Sequence, residues 1–150
     1  GSTTERGTME AMSVLTFQTG ACPTSEELVS LYNAVSWSAY TKDPARLAAA
    51  VRASLAVATA RQDGELVGLA RLVGDGQTIV YLQDILIRPT HQRRGIGREL
   101  FQRIFAPYSD VRQKVLITDD EASQHAFYKS MGFTETGDLD YPIRTFVQFG

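Results

Sequence analysis

The sequence predicts a mixed α/β fold whose sheet is antiparallel in its first half and parallel in its second. Three apolar runs between Leu55 and Arg88 are separated only by Asp63-Gly64 and Gly74-Asp75-Gly76. Such short connections force hairpins. After Gly95 the apolar spacing turns helical, and strand-like and helical stretches then alternate, which calls for parallel pairing. The 150 residues are one domain's worth, with no repeat or linker-like tract to divide them.

Residues 1–12 are set aside first. Gly1-Ser2 resembles a protease-cleavage scar, and Gly1 to Gly7 is polar and aperiodic, so residues 1–12 are expected to be an artificial, disordered leader and 13–150 a single domain. Val14 to Gln18 alternates weakly, as a first strand would. Thr24-Ser-Glu-Glu27 is a capping box, and Leu28, Leu31, Tyr32 and Val35 follow at helical spacing. Asp43-Pro44 opens a second helix, with an N-cap followed by proline at the first helical position and an apolar stripe of Leu47, Val51 and Leu55. Strands are expected at Leu55–Ala60, Leu66–Val73 and Gln77–Arg88. The third carries apolar residues on both faces, the mark of a central strand covered on both sides. Its alternation places Asp84 opposite Tyr81 and Ile85 unless a bulge redirects it.

From Gly95 onward, Ile96, Leu100, Phe101, Ile104 and Phe105 form one helical face that ends near Pro107. Val115–Thr118 reads as a short buried strand, Asp120–Met131 as a helix with Gly132 at its C-terminal end, and Phe133–Thr136 and Ile143–Phe149 as closing strands. The total is six to seven strands and about four helices.

Composition narrows the function. One cysteine, Cys22, excludes an internal disulfide, and His91 and His125 are too few for a histidine-based metal site, so no metal is expected. No apolar run reaches the ~18 residues a membrane span needs, so no membrane partner is expected and a cytoplasmic address is the default. Net charge is −2, yet Arg88, Arg93, Arg94, Arg98 and Arg103 stand against Glu99 alone. A basic focus in an acidic chain suggests one anionic ligand at one place. Further basic clusters with interleaved aromatics are missing, so nucleic acid is not expected as a partner.

The focus falls on Arg88-Pro-Thr-His-Gln-Arg-Arg-Gly-Ile-Gly97, between the central strand and a helix. Gly95 and Gly97 let backbone amides turn sharply and approach a ligand, the helix N-terminus adds its dipole, and the arginines add charge, which together suit a pyrophosphate. A Walker loop needs a lysine after its second glycine, and a Rossmann fingerprint needs a third glycine where Leu100 stands. Both readings fail.

Gln92-Arg93-Arg94-Gly95-Ile96-Gly97, preceded by Ile87-Arg88-Pro89, resembles the coenzyme-binding signature of the GCN5-related N-acetyltransferases (GNAT). A second family signature, aromatic-Tyr-x-x-x-Gly-Phe, is matched by Phe127-Tyr128-Lys-Ser-Met-Gly132-Phe133, in the right order and separation. The resemblance implies an acetyl-CoA-dependent transfer to a primary amine, of a small molecule or a protein, by direct attack in a ternary complex. It implies pyrophosphate binding by Gln92, Arg93, Arg94, Gly95, Ile96, Gly97 and Arg98. It also implies pairing of the backbone at Ile85, Leu86 and Ile87 with pantetheine where two strands splay, and proton donation by Tyr128 to the departing thiolate. Many members carry a glutamate base on the central strand. Here the aligned position is Tyr81, and Asp84 is the nearest carboxylate.

Alternatives stand beside these assignments. The arginines also fit a solvated helix start, Tyr128 a core aromatic, and Asp84 a structural carboxylate. Trp37 and Tyr40 fit an acceptor pocket or core packing. A non-catalytic acyl-CoA-binding module on the same fold is the competing function. Edge strands near the C-terminus make a homodimer an expectation.

Overall fold

The computed structural model describes residues 13–150, so the expected leader at 1–12 lies outside it. The described chain forms two compact units, one ending at Leu116 and the other beginning at Ile117.

The first unit holds one five-stranded sheet: β1 (Leu15–Thr19), β2 (Ala56–Gln62), β3 (Glu65–Gly74), β4 (Ile79–Ile87) and β5 (Gln113–Leu116), in that spatial order. The first four pair antiparallel and β4–β5 pairs parallel, as expected. Three helices lie between β1 and β2: α1 (Ser25–Ala34), the single turn α2 (Ser38–Thr41) and α3 (Pro44–Ala53). Both caps form as the sequence indicates. Thr24 and Glu27 close a reciprocal capping box, and Asp43 accepts from the Arg46 amide with Pro44 behind it. The single turn α2 is an addition to the four expected helices.

The helices cover both faces of the sheet. Leu28, Leu31 and Tyr32 of α1 and Leu47, Ala48 and Val51 of α3 bury one face in a cluster with Val57, Leu66, Leu69 and Leu86. On the other face, Gly68 lets α4 (Ile96–Phe105) approach, since a Cβ there would stand 3.0 Å from the Leu100 side chain and 2.9 Å from that of Ile87. Ile96, Leu100, Phe101, Ile104 and Phe105 of α4 are all buried. Full cover explains why the central strands are apolar on both faces.

The strand count is lower than expected. Among the described residues no strand follows Leu116. Residues 133–136 and 143–149 form no ladder, while Thr136–Asp138 is a short 3₁₀ turn. Alternating apolar residues make a strand only when a partner supplies hydrogen bonds and a face is buried. Here Phe146 and Phe149 are 92% and 86% exposed. Parallel pairing therefore rests on β4–β5 alone. The second unit is built on α5 (Ala122–Ser130), close to the helix expected at Asp120–Met131, and the chain leaves it through Gly132 at φ +93°.

Candidate functional site

The glycine-rich turn has the backbone its sequence requires. After β4, Pro89–His91 makes one 3₁₀ turn, and Arg93 (φ +64°) and Gly95 (φ +80°) are both left-handed, Gly95 as the N-cap of α4. Left-handed residues on either side of Arg94 curl successive amides toward one concavity, and the first turn of α4 adds N–H groups with no partner inside the helix. Arg93, Arg94 and Arg98 are exposed beside them.

The other two arginines of the basic focus serve the scaffold. Arg88 donates to the Leu66 carbonyl (2.7 Å) and the Ser30 hydroxyl (2.9 Å), tying β4 to β3 and α1. Arg103 pairs with Glu99 at 2.7 Å and lies 4.9 Å from the centre of the Phe17 ring. Gln92 donates from Nε2 to the Ile87 carbonyl (3.1 Å), so it shapes the turn by fastening it to the end of the strand.

Along one side, that strand end has no ladder partner among the described residues. The β4–β5 ladder runs from Ile79↔Gln113 to Leu82↔Leu116 and stops, while β4 continues to Ile87. The Arg88 amide donates to the Val67 carbonyl across the β3 ladder. Backbone groups alternate in direction along a strand, so those of Leu86 also face β3 while those of Ile85 and Ile87 face the side without a ladder partner. The β4–β5 ladder thus ends where the sequence reading expects the two strands to part. Of the three residues assigned to that place, Ile85 and Ile87 present their backbone there and Leu86 does not.

The strand bulge left open in the sequence is also present. Arg71 pairs with Asp84 but Leu72 with Leu82, so Gln83 is the extra residue on β4. The simple alternation is thereby corrected: Asp84 turns onto the face of Tyr81, opposite Ile85. There it is 2% exposed and takes Nε of Arg71 at 2.5 Å, the Tyr32 hydroxyl at 2.8 Å and the Tyr40 hydroxyl at 3.2 Å. Arg71 also donates to Ser54. The Tyr40 oxygen in turn accepts from Gln83 Nε2 (3.1 Å). Burial, then the Asp84 charge, pushes the Tyr32 and Tyr40 phenols above their ordinary range. Burial likewise raises Tyr81, with Tyr40 and Asp84 adding to it. Arg71 was overlooked in the sequence. The available signal was an arginine inside an apolar strand facing an aspartate inside the next one.

Tyr128 belongs to the second unit. It is half-buried on α5, its ring 5.2 Å from that of Phe127, and its carbonyl accepts from the Phe133 amide. Burial raises its phenol and a hydrogen bond with the Thr118 side chain partly offsets that. The two halves of the second signature, Phe127-Tyr128 and Gly132-Phe133, thus form one helix end.

Known proteins resemble this chain. A family model described as an acetyltransferase (GNAT) domain matches residues 53–135. A GNAT-family acetyltransferase of solved structure from Streptococcus pneumoniae TIGR4 is 30% identical with a TM-score of 0.78, over 90% of this chain and 98% of that one. The aminoglycoside N-acetyltransferase AAC(6′)-Iy, solved with the bisubstrate analogue CoA-S-monomethyl-acetylneamine, shares the fold at 17% identity and a TM-score of 0.68, over 89% and 99% of the two chains. A curated protein of Gibberella zeae, provisionally named an acetyltransferase, is 34% identical over 82 residues. That match covers 53% of this chain and 45% of the relative, so the chain spans less than half of the relative's length.

Proposed function

Because the chain belongs to the GNAT acetyltransferase family, we propose that residues 13–150 act as one N-acetyltransferase domain. It transfers acetyl from acetyl-CoA to a primary amine of a small molecule or protein, by direct attack in a ternary complex. The observation that carries this reading is the continuity of the β4 edge past the β5 ladder with the left-handed turn at Arg93 and Gly95. An extended arm bearing amides can add to the edge while its pyrophosphate meets the amides and arginines of the turn.

Each group then has a task. Arg93, Arg94, Arg98 and the amides around Gly95, Ile96 and Gly97 hold phosphate charge, with Gln92 keeping the turn in shape. The outward backbone of Ile85 and Ile87 aligns the arm, and an amide near Ile85 polarises the thioester carbonyl. The amine must arrive uncharged. Its nitrogen bonds to the carbonyl carbon, the carbon–sulfur bond breaks, the departing thiolate takes a proton from Tyr128, and the proton the nitrogen sheds passes to water, which returns one to the Tyr128 oxygen. Asp84 is buried with three donors, so we assign it to positioning rather than to abstraction of the amine proton.

The test is thiol release from acetyl-CoA across a panel of primary amines. Amine-dependent release is expected. Binding of acetyl-CoA without release for any amine would leave the fold as a non-catalytic acyl-CoA-binding module.

A further inference from the structure

We infer that the Tyr40 hydroxyl, held by Asp84, together with the Gln83 carboxamide, forms a pole that binds the uncharged form of a primary amine. The inference rests on the acetyltransferase reading and names the chemistry its acceptor side would select.

The geometry begins at the bulge. Gln83 is the extra residue of β4, exposed beside the last pair of the β4–β5 ladder, and its Nε2 donates to the Tyr40 oxygen (3.1 Å). The Tyr40 proton is committed inward to Asp84 (3.2 Å). A phenol that donates inward and accepts one bond keeps one lone pair, and a carboxamide that donates keeps its carbonyl oxygen. The lone pair and the carbonyl oxygen accept the N–H donors of an amine, and the second Nε2 hydrogen can donate to the lone pair that only the uncharged amine has.

Net charge decides which form of the amine is held. A bare carboxylate would favour the ammonium, which cannot attack. Here the Asp84 charge is countered by Arg71 at 2.5 Å. The pole therefore offers acceptor oxygens with little net charge.

The pole is also built rigidly. Ser36 turns the chain at φ +65°, Thr41 Oγ1 donates to Asn33 Oδ1 (2.7 Å), and the Tyr40 ring lies 5.3 Å from Tyr32 and 6.1 Å from Trp37. Pre-organisation of this kind lowers the cost of binding.

The experiment titrates 2-phenylethylamine, spermidine and glucosamine by calorimetry into protein saturated with CoA. For the tightest of the three, Tyr40→Phe should weaken binding about tenfold, as loss of one hydrogen bond does. CoA affinity should hold, and melting temperature should fall by no more than loss of the one bond to Asp84 explains. Between pH 7 and 9 the wild-type affinity should rise toward the amine's own pKa. Of the groups facing the pole, Tyr32, Tyr40 and Tyr81 are raised above that window, Arg71 stays charged and Asp84 is its ion-pair partner, so the change belongs to the ligand. No binding of any of the three amines, equal affinity in Tyr40→Phe, or a pH-independent affinity would overturn the inference. Thiol release from acetyl-CoA with the same three amines, in separate samples free of added CoA, judges the acetyltransferase reading separately.

Discussion

Tyr128 and Asp84 are both hydrogen-bonded side chains with a role in the proposed reaction, yet their environments predict opposite behaviour on substitution. Tyr128→Phe keeps the ring against Phe127 and removes only the proton. Turnover should fall at least ~10-fold, the low end for a positioned general acid being ~10². CoA affinity should be unchanged in a thermal-shift titration, whereas a purely structural tyrosine would lose stability instead. Asp84→Ala strands the buried Arg71 charge and should cost about 3–5 kcal/mol in urea unfolding. Replacing both partners with apolar residues should recover most of that loss, because no charge is then left alone. Residue types were readable from the chain, and so was the strand carrying each. The partners of Asp84 were not, since one bulge at Gln83 reverses which face every later side chain occupies.

Elements bounded by strong local chemistry were legible to within a few residues: α1 by its capping box, α3 by Asp43-Pro44, and the β2–β4 hairpins by their glycine turns. The closing strands were misread because their alternation has no ladder to join among the described residues. The turn into α4 gives the sharpest test at this scale. A Cβ at Gly95 would meet nothing within 4 Å, so Gly95→Ala pays only for its left-handed φ, roughly 1–2 kcal/mol. The expected result is a raised acetyl-CoA KM with the amine KM unmoved, and Arg94→Ala should do the same. A change confined to the amine would contradict the assignment.

Attachment of α1 to the sheet depends on pH. The Arg61 guanidinium, helped by Thr24, holds the Glu27 carboxyl down to about 2, below its usual 4.5. A lowered folded pKa contributes stability above the unfolded value and loses it as pH falls through the folded one. The loss should run from about pH 4.5 to 2. Glu27 is partly exposed and screened, so the pair is worth under about 1 kcal/mol, and the Glu27→Gln difference in urea midpoint should shrink from pH 6 to pH 3.

Across the whole molecule, the first unit carries the described sheet and the second carries Tyr128, while the family match at 53–135 spans both. Among the described residues no helix is long and apolar enough to cross a membrane. The early end of the β4–β5 ladder has a consequence for solvent exchange. Amides of Leu86 and Arg88 are spent on β3, while those of Ile85 and Ile87 face the side that β5 has left. In deuterated water the second pair should exchange faster than the first, giving alternate fast and slow positions along one strand. Saturation with CoA should slow Ile85 and Ile87 and leave their neighbours as they were. Four adjacent amides, resolved by NMR, would then report whether the coenzyme arm lies along this edge.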